Sequence, residues 1–335
     1  MFREAQQAAE AIARQLARNE KDVHALASRL RSDPPRAVVT LARGSSDHAA
    51  TYAKYLLETR IGVLVSSGSP STASVYGAQP DLSDCLVLAI SQSGRSPDLL
   101  ESAGAAKRAG ARLVTLVNDE ASPLAAMADC CLPLGAGREE SVAATKTHLA
   151  TVSAIAQLVS TWSGDGALDA ALRRAPDDLR RAWELDWSGA LDVLVPATHL
   201  FVLARGVGLG AAQEAALKCK ETCALHAEAF SAAEVRHGPQ ALLGERFPAL
   251  VFAQDDETLA GTRTLVRDLV ARAVPVMVAG AAVEGAVPLP TVAAHPAIAP
   301  LLFTQSFYRL ANALAIARGQ DPDAPPHLRK VTETH

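Results

Sequence analysis

At 335 residues the chain is long enough for about two domains, and 49% hydrophobic content with only 4% aromatics, most of it Ala, Val and Leu, suits a packed α/β protein. A net charge of -4 leaves no broad basic field for a nucleic-acid backbone. No apolar run approaches the roughly 18 residues needed to span a bilayer, and Met1-Phe2-Arg3-Glu4 opens a charged amphipathic stretch instead of an apolar signal core.

Residues 4–31 read as one or two helices, with Ile12, Leu16, Val23, Leu26 and Leu30 near helical spacing, ended by Asp33-Pro34-Pro35. Ala37 to Ala42 is a buried strand, Arg43-Gly44-Ser45-Ser46-Asp47 the turn after it, and a helix runs on to about Thr59. Gly62 to Ser66 reads as a short strand. Leu86 to Ile90 is a continuous apolar run, as in a strand buried on both faces of a parallel sheet. It stops at Ser91-Gln92-Ser93-Gly94, and Ser96-Pro97-Asp98 then reads as a helix start, with Ser at the N-cap, Pro at the first helical position and an acid in the first turn. Ala111 to Val117 and Cys130 to Leu134 are further strands, and Thr145 to Trp162 is a long helix broken by Ser163-Gly164-Asp165-Gly166. A charged helical stretch from Leu168 to Leu185 leads to the second half.

The second half repeats the first. Leu41-Ala42-Arg43-Gly44 recurs as Leu203-Ala204-Arg205-Gly206, about 162 residues later. Leu250 to Ala253 and Val274 to Ala279 match the strands before Ser91 and Asn118 at nearly the same offset. Matched strands at one offset argue for duplication of a doubly wound α/β unit, with two parallel sheets and helices on both faces. The expected organisation is a helical segment at 1–33, a first domain at 34–166, a helical linker at 167–194, a second domain at 195–319 and a tail at 320–335.

Ser91, Gln92, Ser93 and Ser96 stand between the carboxyl end of a strand and the amino end of a helix, where open α/β sheets bind ligands and where free N–H groups suit a phosphate. A single serine would serve as a helix cap; four polar side chains are more donors than a cap requires. Adjacent parallel strands present their carboxyl ends on one edge, so Ser45 and Ser46 converge with this loop on one ligand. The second copy carries Ala253-Gln254-Asp255-Asp256 at the corresponding place, two acids where a phosphate needs donors, so the phosphate site is expected in the first half only.

Residues 214–239 are the densest in functional types. On a helix, Glu214, Lys218 and Glu221 lie along one face, and taken alone they read as an ion-paired surface stripe. Leu217, Cys219 and the nearby alanines make the surroundings apolar enough to raise a carboxylate toward the general-base range. A zinc set of His226, Glu228 and His237 matches no defensible ligand spacing. The five cysteines, Cys85, Cys130, Cys131, Cys219 and Cys223, form no CxxC pair and read as reduced thiols of a cytoplasmic protein. The tail from Asp321 has no helical or strand periodicity; its prolines restrict it and leave docking open.

Six motifs in order resemble a known family: Ser91-Gln92-Ser93-Gly94, Ser141-Val142-Ala143-Ala144-Thr145-Lys146, Glu214 to Glu221, His226-Ala227-Glu228-Ala229-Phe230, His237-Gly238-Pro239 and Leu328-Arg329-Lys330-Val331-Thr332. They are similar to the isomerase part of glucosamine-6-phosphate synthase, a tandem pair of sugar isomerase (SIS) domains. The resemblance implies that Ser45, Ser46, Ser91, Gln92, Ser93, Ser96 and Val142 bind the sugar phosphate. It implies that Glu221 moves the proton between C1 and C2, that Lys218 supports that base, and that Lys330 forms an imine with a ketose from a tail docked at the active site. His237 would assist ring opening from the neighbouring subunit of a homodimer with shared sites. No metal or organic cofactor is called for. Ala144 departs from the serine or threonine usual in the synthase pattern. The sequence given carries no glutaminase domain, so the resemblance points to the stand-alone deaminase of the same type, which takes glucosamine 6-phosphate and water to fructose 6-phosphate and ammonia. The alternatives are an isomerase subunit using ammonia from elsewhere and a non-enzymatic sugar-phosphate sensor.

Overall fold

The computed structural model describes residues 1–328 and Lys330. The chain divides into two compact units. One comprises Glu10–Glu139 and Lys146–Arg173 with Lys330; the other comprises Met1–Ala9, Glu140–Thr145 and Arg174–Leu328.

The first unit is built on a five-stranded parallel sheet. Its strands are β1 (Ala37–Leu41), β2 (Val65–Ser67), β3 (Cys85–Ser91), β4 (Arg112–Val117) and β5 (Cys130–Pro133), in the order β2-β1-β3-β4-β5. All seven residues of β3 are buried, because the sheet is covered on both sides. With side chains alternating, Val87 and Ala89 pack with Leu99, Ala103 and Ala106 of the helix Pro97–Arg108. The helices Ser45–Leu56 and Lys146–Ser163 pack against each other. The first of these runs on through a π-turn, Leu57–Ile61, and ends where Gly62 turns left-handed at φ +79° and donates its N–H to the Leu57 carbonyl at 3.0 Å. That cap uses the residue at which the sequence predicts a strand to start, so β2 begins only at Val65.

The second unit has strands β6 (His199–Ala204), β7 (His226–Ser231), β8 (Ala249–Phe252), β9 (Val276–Ala279) and β10 (Val287–Leu289), all parallel, in the order β10-β9-β8-β6-β7. Read from β7, this is the order of the first sheet. The expected α/β class with two doubly wound parallel sheets is therefore what the chain forms. β7 and β10 are the strands that sequence pattern does not announce. β7 alternates exposed His226 and Glu228 with buried Ala227 at a sheet edge, and β10 is only three residues long. One face of this sheet buries Phe201, Leu203, Val251 and Val278 with Leu265, Val266 and Leu269 of the helix Leu259–Ala271. The helices Leu209–Cys223 and Ala299–Ala317 pack together, and the latter is buried for most of its length. Among the described residues no helix is long and apolar enough to cross a membrane.

Gly280, just past β9, sits at φ +89°, and a Cβ there would lie 2.2 Å from the Ala253 carbonyl oxygen and 2.9 Å from the Phe303 ring. Gly319 is also left-handed, at φ +71°, but has open space where a Cβ would stand. Gly280→Ala is expected to destabilise by about 2–5 kcal/mol, adding overpacking to the left-handed penalty, and Gly319→Ala by only about 1–2 kcal/mol. Urea midpoints at unchanged slope check the difference; equal losses would remove the steric argument.

Candidate functional site

The serine loop leaves β3 at the edge where β1 also ends, since Leu41 pairs with Ala89 in parallel register. The turns 42–47 and 91–97 thus leave adjacent strands on the same edge, beside the point where the strand order reverses. Gly94 turns the loop at φ +62°, where a Cβ would lie 2.3 Å from Ser122 Oγ. Ser91 Oγ accepts the Gly94 N–H at 2.9 Å and Ser93 Oγ accepts the Arg95 N–H at 3.3 Å. Accepting these bonds shapes the loop and leaves each hydroxyl its own proton to donate. The Gln92 carbonyl accepts the N–H groups of Asn118 and Asp119, both at 3.3 Å. Ser96 stands at the N-cap of Pro97–Arg108 but makes no side-chain capping bond. The cap reading of the serines therefore fails at the one position where a cap is needed.

Ser45 and Ser46 open the helix Ser45–Leu56, entered through Gly44 at φ +54°, and both are half-buried. Buried His148, on Lys146–Ser163, places its Nδ1 3.0 Å from the Ser45 carbonyl oxygen. Nothing in the sequence pattern marks this histidine. Lys330 pairs with the carboxylate of Glu139 at 3.6 Å. Glu139 also accepts from Thr147 Oγ1 at 2.8 Å and is itself buried. The rest of the Lys330 motif, Arg329, Val331 and Thr332, lies outside the described residues.

In the second unit Glu214, Lys218 and Glu221 come together on the helix Leu209–Cys223. Lys218 Nζ is 3.2 Å from Glu214 Oε1 and 2.6 Å from Glu221 Oε2. The surface-stripe reading is overturned: the Glu214 and Lys218 side chains are fully buried, and only Glu221, 23% exposed, reaches the surface. The buried Tyr308 hydroxyl donates to Glu214 Oε1 at 2.9 Å. Burial works against the Lys218 charge, but the two carboxylates outweigh it and raise its pKa, so the ammonium persists. Val142, in the segment 140–145, is half-buried and donates its N–H to the Asp323 carbonyl at 3.3 Å. His237, itself exposed, ends the turn Glu234–His237 beyond β7.

The loop after β8 closes on itself. The Gln254 amide nitrogen donates to the Arg205 carbonyl at 2.6 Å and to Asp256 Oδ2 at 3.0 Å, and Asp256 Oδ1 accepts the Thr258 N–H at 2.9 Å. Among the described residues no group of three or more His, Cys, Asp or Glu could hold a metal ion. Burial pushes the Cys219 thiol well up and the Cys223 thiol to about 11, so neither is a thiolate nucleophile at neutral pH.

Sequence reasoning did not single out Glu139, His148 or Tyr308. The acid at 139 borders the Ser141 to Lys146 motif, which is a usable signal; Tyr308 lies in an apolar helix with none. Removing a partner from a buried ion pair is costly, so Glu214→Ala is expected to lose about 3–5 kcal/mol of stability. Tyr308→Phe, which deletes one hydrogen bond to a charged group, is expected to lose about 1.5–3 kcal/mol. Chemical denaturation measures both, and losses below 0.5 kcal/mol, the usual limit for surface changes, would contradict the buried triad.

Comparison with known proteins places these units. The SIS domain model matches residues 34–161 and 193–279. The glutamine–fructose-6-phosphate aminotransferase (isomerizing) of Aeropyrum pernix is 33% identical over 324 residues, covering 88% of this chain and 50% of that protein. The chain thus spans about half the length of the curated relatives it matches. Among solved structures, a Silicibacter pomeroyi protein provisionally classed as a phosphosugar isomerase is 42% identical, with a TM-score of 0.92, over 96% of this chain and 99% of that one. The C-terminal domain of the glucosamine-fructose-6-phosphate aminotransferase of Francisella tularensis is 25% identical, with a TM-score of 0.87, over 96% of this chain and 97% of that one. On the two matched segments, the paired sheets and these likenesses, the chain belongs to the SIS domain family.

Proposed function

We propose that this protein is a sugar-phosphate isomerase that moves a proton between C1 and C2 of a hexose 6-phosphate, as the isomerase component of amino-sugar synthesis from fructose 6-phosphate. The observation that carries this reading is the Glu214–Lys218–Glu221 cluster. A buried ammonium holds one carboxylate oxygen of a partly exposed glutamate, an arrangement suited to a base fixed in direction. Ser45, Ser46, Ser91, Gln92, Ser93 and Ser96 hold the phosphate, and Val142 contacts the sugar. Anchoring the far end lets remote binding energy position the reacting carbons. His237, supplied by the partner subunit of a homodimer, assists ring opening. Lys330 forms a transient imine with the open-chain ketose.

Forming the Lys330 imine releases the C2 oxygen of fructose 6-phosphate as water; ammonia then adds to that carbon and displaces the lysine amine, so that C2 carries the imine nitrogen of the product. Glu221 takes a proton from C1 and returns it to C2, and the product is glucosamine 6-phosphate. Deamination is the same sequence reversed, with water as co-substrate. The 33% likeness to aminotransferases favours the synthetic direction over deamination. A sensor would have no use for an ion-paired base.

Assays in both directions test this. With fructose 6-phosphate and either an ammonium salt or an added glutaminase, the protein is expected to form glucosamine 6-phosphate. Ammonia release from glucosamine 6-phosphate with no synthesis under any ammonia supply would return the deaminase reading. Glu221→Gln is expected to bind fructose 6-phosphate normally and to lower turnover by at least about 100-fold. Normal turnover would leave Glu221 a structural ion-pair partner. Mixing inactive His237→Ala and Glu221→Gln subunits is expected to restore activity through one intact site per heterodimer; no recovery after confirmed subunit exchange would place His237 in its own subunit's site.

A further inference from the structure

The helix proposed to receive the phosphate carries an acid where a phosphate is least compatible with one. Asp98 is the second residue of Pro97–Arg108, two positions after Ser96, and its side chain is 2% exposed. A carboxylate in the first turn of a solvent-exposed helix answers the helix dipole. Buried beside a loop that must accept a phosphate, the same carboxylate repels the ligand, and little water screens it.

The charge is answered from the neighbouring strand. Arg43, two residues beyond the end of β1, directs Nε and Nη2 at Asp98 Oδ2, at 3.0 and 2.7 Å. Asp98 Oδ1 is buried and makes no hydrogen bond among the described residues. Arg43 is 50% exposed and immediately precedes Gly44-Ser45-Ser46, so one guanidinium joins the two serine turns. Asp47 and His48 are the other titratable groups near it; burial raises the Asp47 carboxyl, against the pull of His48 and Arg43. Arg95, the cation within the serine loop itself, is engaged with Asp119 at 2.8 Å.

We propose that Arg43 is a positioning residue for phosphate binding, acting through Asp98: it neutralises the buried carboxylate, so that the serine loop accepts a dianionic phosphoryl group. The inference rests on the phosphate reading of that loop. It gives Arg43 a role distinct from the neutral donors, which bind the phosphate directly, and makes selectivity for phosphorylated sugars depend on an ion pair behind the loop.

Calorimetric titration of the full chain with inorganic phosphate and with fructose 6-phosphate tests it, since binding needs no turnover. Arg43→Gln is expected to bind both at least tenfold more weakly. Arg43→Lys, which keeps the charge, is expected to stay within threefold of wild type. The double variant Arg43→Gln/Asp98→Asn removes both charges and is expected to return to within threefold of wild type. A residue that merely tied the loops together would leave the double variant as weak as Arg43→Gln. Should Arg43→Gln fail to fold, the double variant decides alone, and more than threefold weaker binding by it overturns the proposal. Wild-type affinity in Arg43→Gln overturns it while leaving the loop's role intact. Failure of the wild type to bind either ligand overturns the phosphate reading and this inference together.

Discussion

The parallel pairing of β1 with β3 is the constraint on which the rest of the first unit depends. Parallel strands send their carboxyl ends to one edge, so two serine turns separated by some forty-five residues of sequence leave the sheet side by side. Everything that shapes the loop is secondary to that placement. Gly94 permits a turn that any larger residue would block against Ser122. The hydroxyls accept backbone N–H groups, and the start of Pro97–Arg108 contributes helix N–H groups with no intrahelical partner. The second sheet has the same strand order, yet its corresponding loop ties Gln254 to the Arg205 carbonyl and Asp256 to Thr258. One fold thus gives two ends with different chemistry, decided by a few loop residues.

In the second unit the governing term is the cost of burying charge. Lys218 is removed from water, and the arrangement is stable only because carboxylates stand on both sides of it and Tyr308 satisfies one of them. The grading from fully buried Glu214 to partly exposed Glu221 gives the cluster a direction. Its charge balance is set inside the protein, while the end that can meet a ligand is at the surface. The Arg43–Asp98 pair in the first unit has the opposite polarity: the acid is buried and the base is at the surface. In each case a helix carries a charged side chain that helix propensity alone would not bury.

Much of the fold was legible from apolar runs. Strands β1, β3 and β4 and their second-half counterparts β6, β8 and β9 announce themselves as short, largely Val- and Leu-rich segments, and the offset between Leu41 and Leu203 exposes the repeat. β7 was hidden because an edge strand of alternating His, Ala and Glu has neither an apolar run nor strong β-propensity. The serine turns were legible as polar segments following β1 and β3. The i,i+4 spacing of Glu214 and Lys218 looks the same whether a helix face is wet or dry, and only the apolar neighbours Leu217 and Cys219 pointed to the dry one. Tyr308 and Asp98 were beyond reach for a related reason: their significance lies in contacts at a distance of 94 residues for Glu214 and 55 for Arg43. Reaction direction was not legible either, since synthesis and deamination use the same C1–C2 proton transfer.

The central claim is that Glu221 exchanges a proton at the carbons beside the sugar carbonyl. Proton NMR of fructose 6-phosphate in deuterium oxide, with an ammonium salt and no coupling enzyme present, follows that exchange. The full chain is expected to incorporate deuterium at C1, stereospecifically, and Glu221→Gln, though it binds the sugar phosphate, to do so at least about 100-fold more slowly. A wild-type protein that binds fructose 6-phosphate and leaves its C1 protons unexchanged would rule out proton transfer by Glu221 at C1.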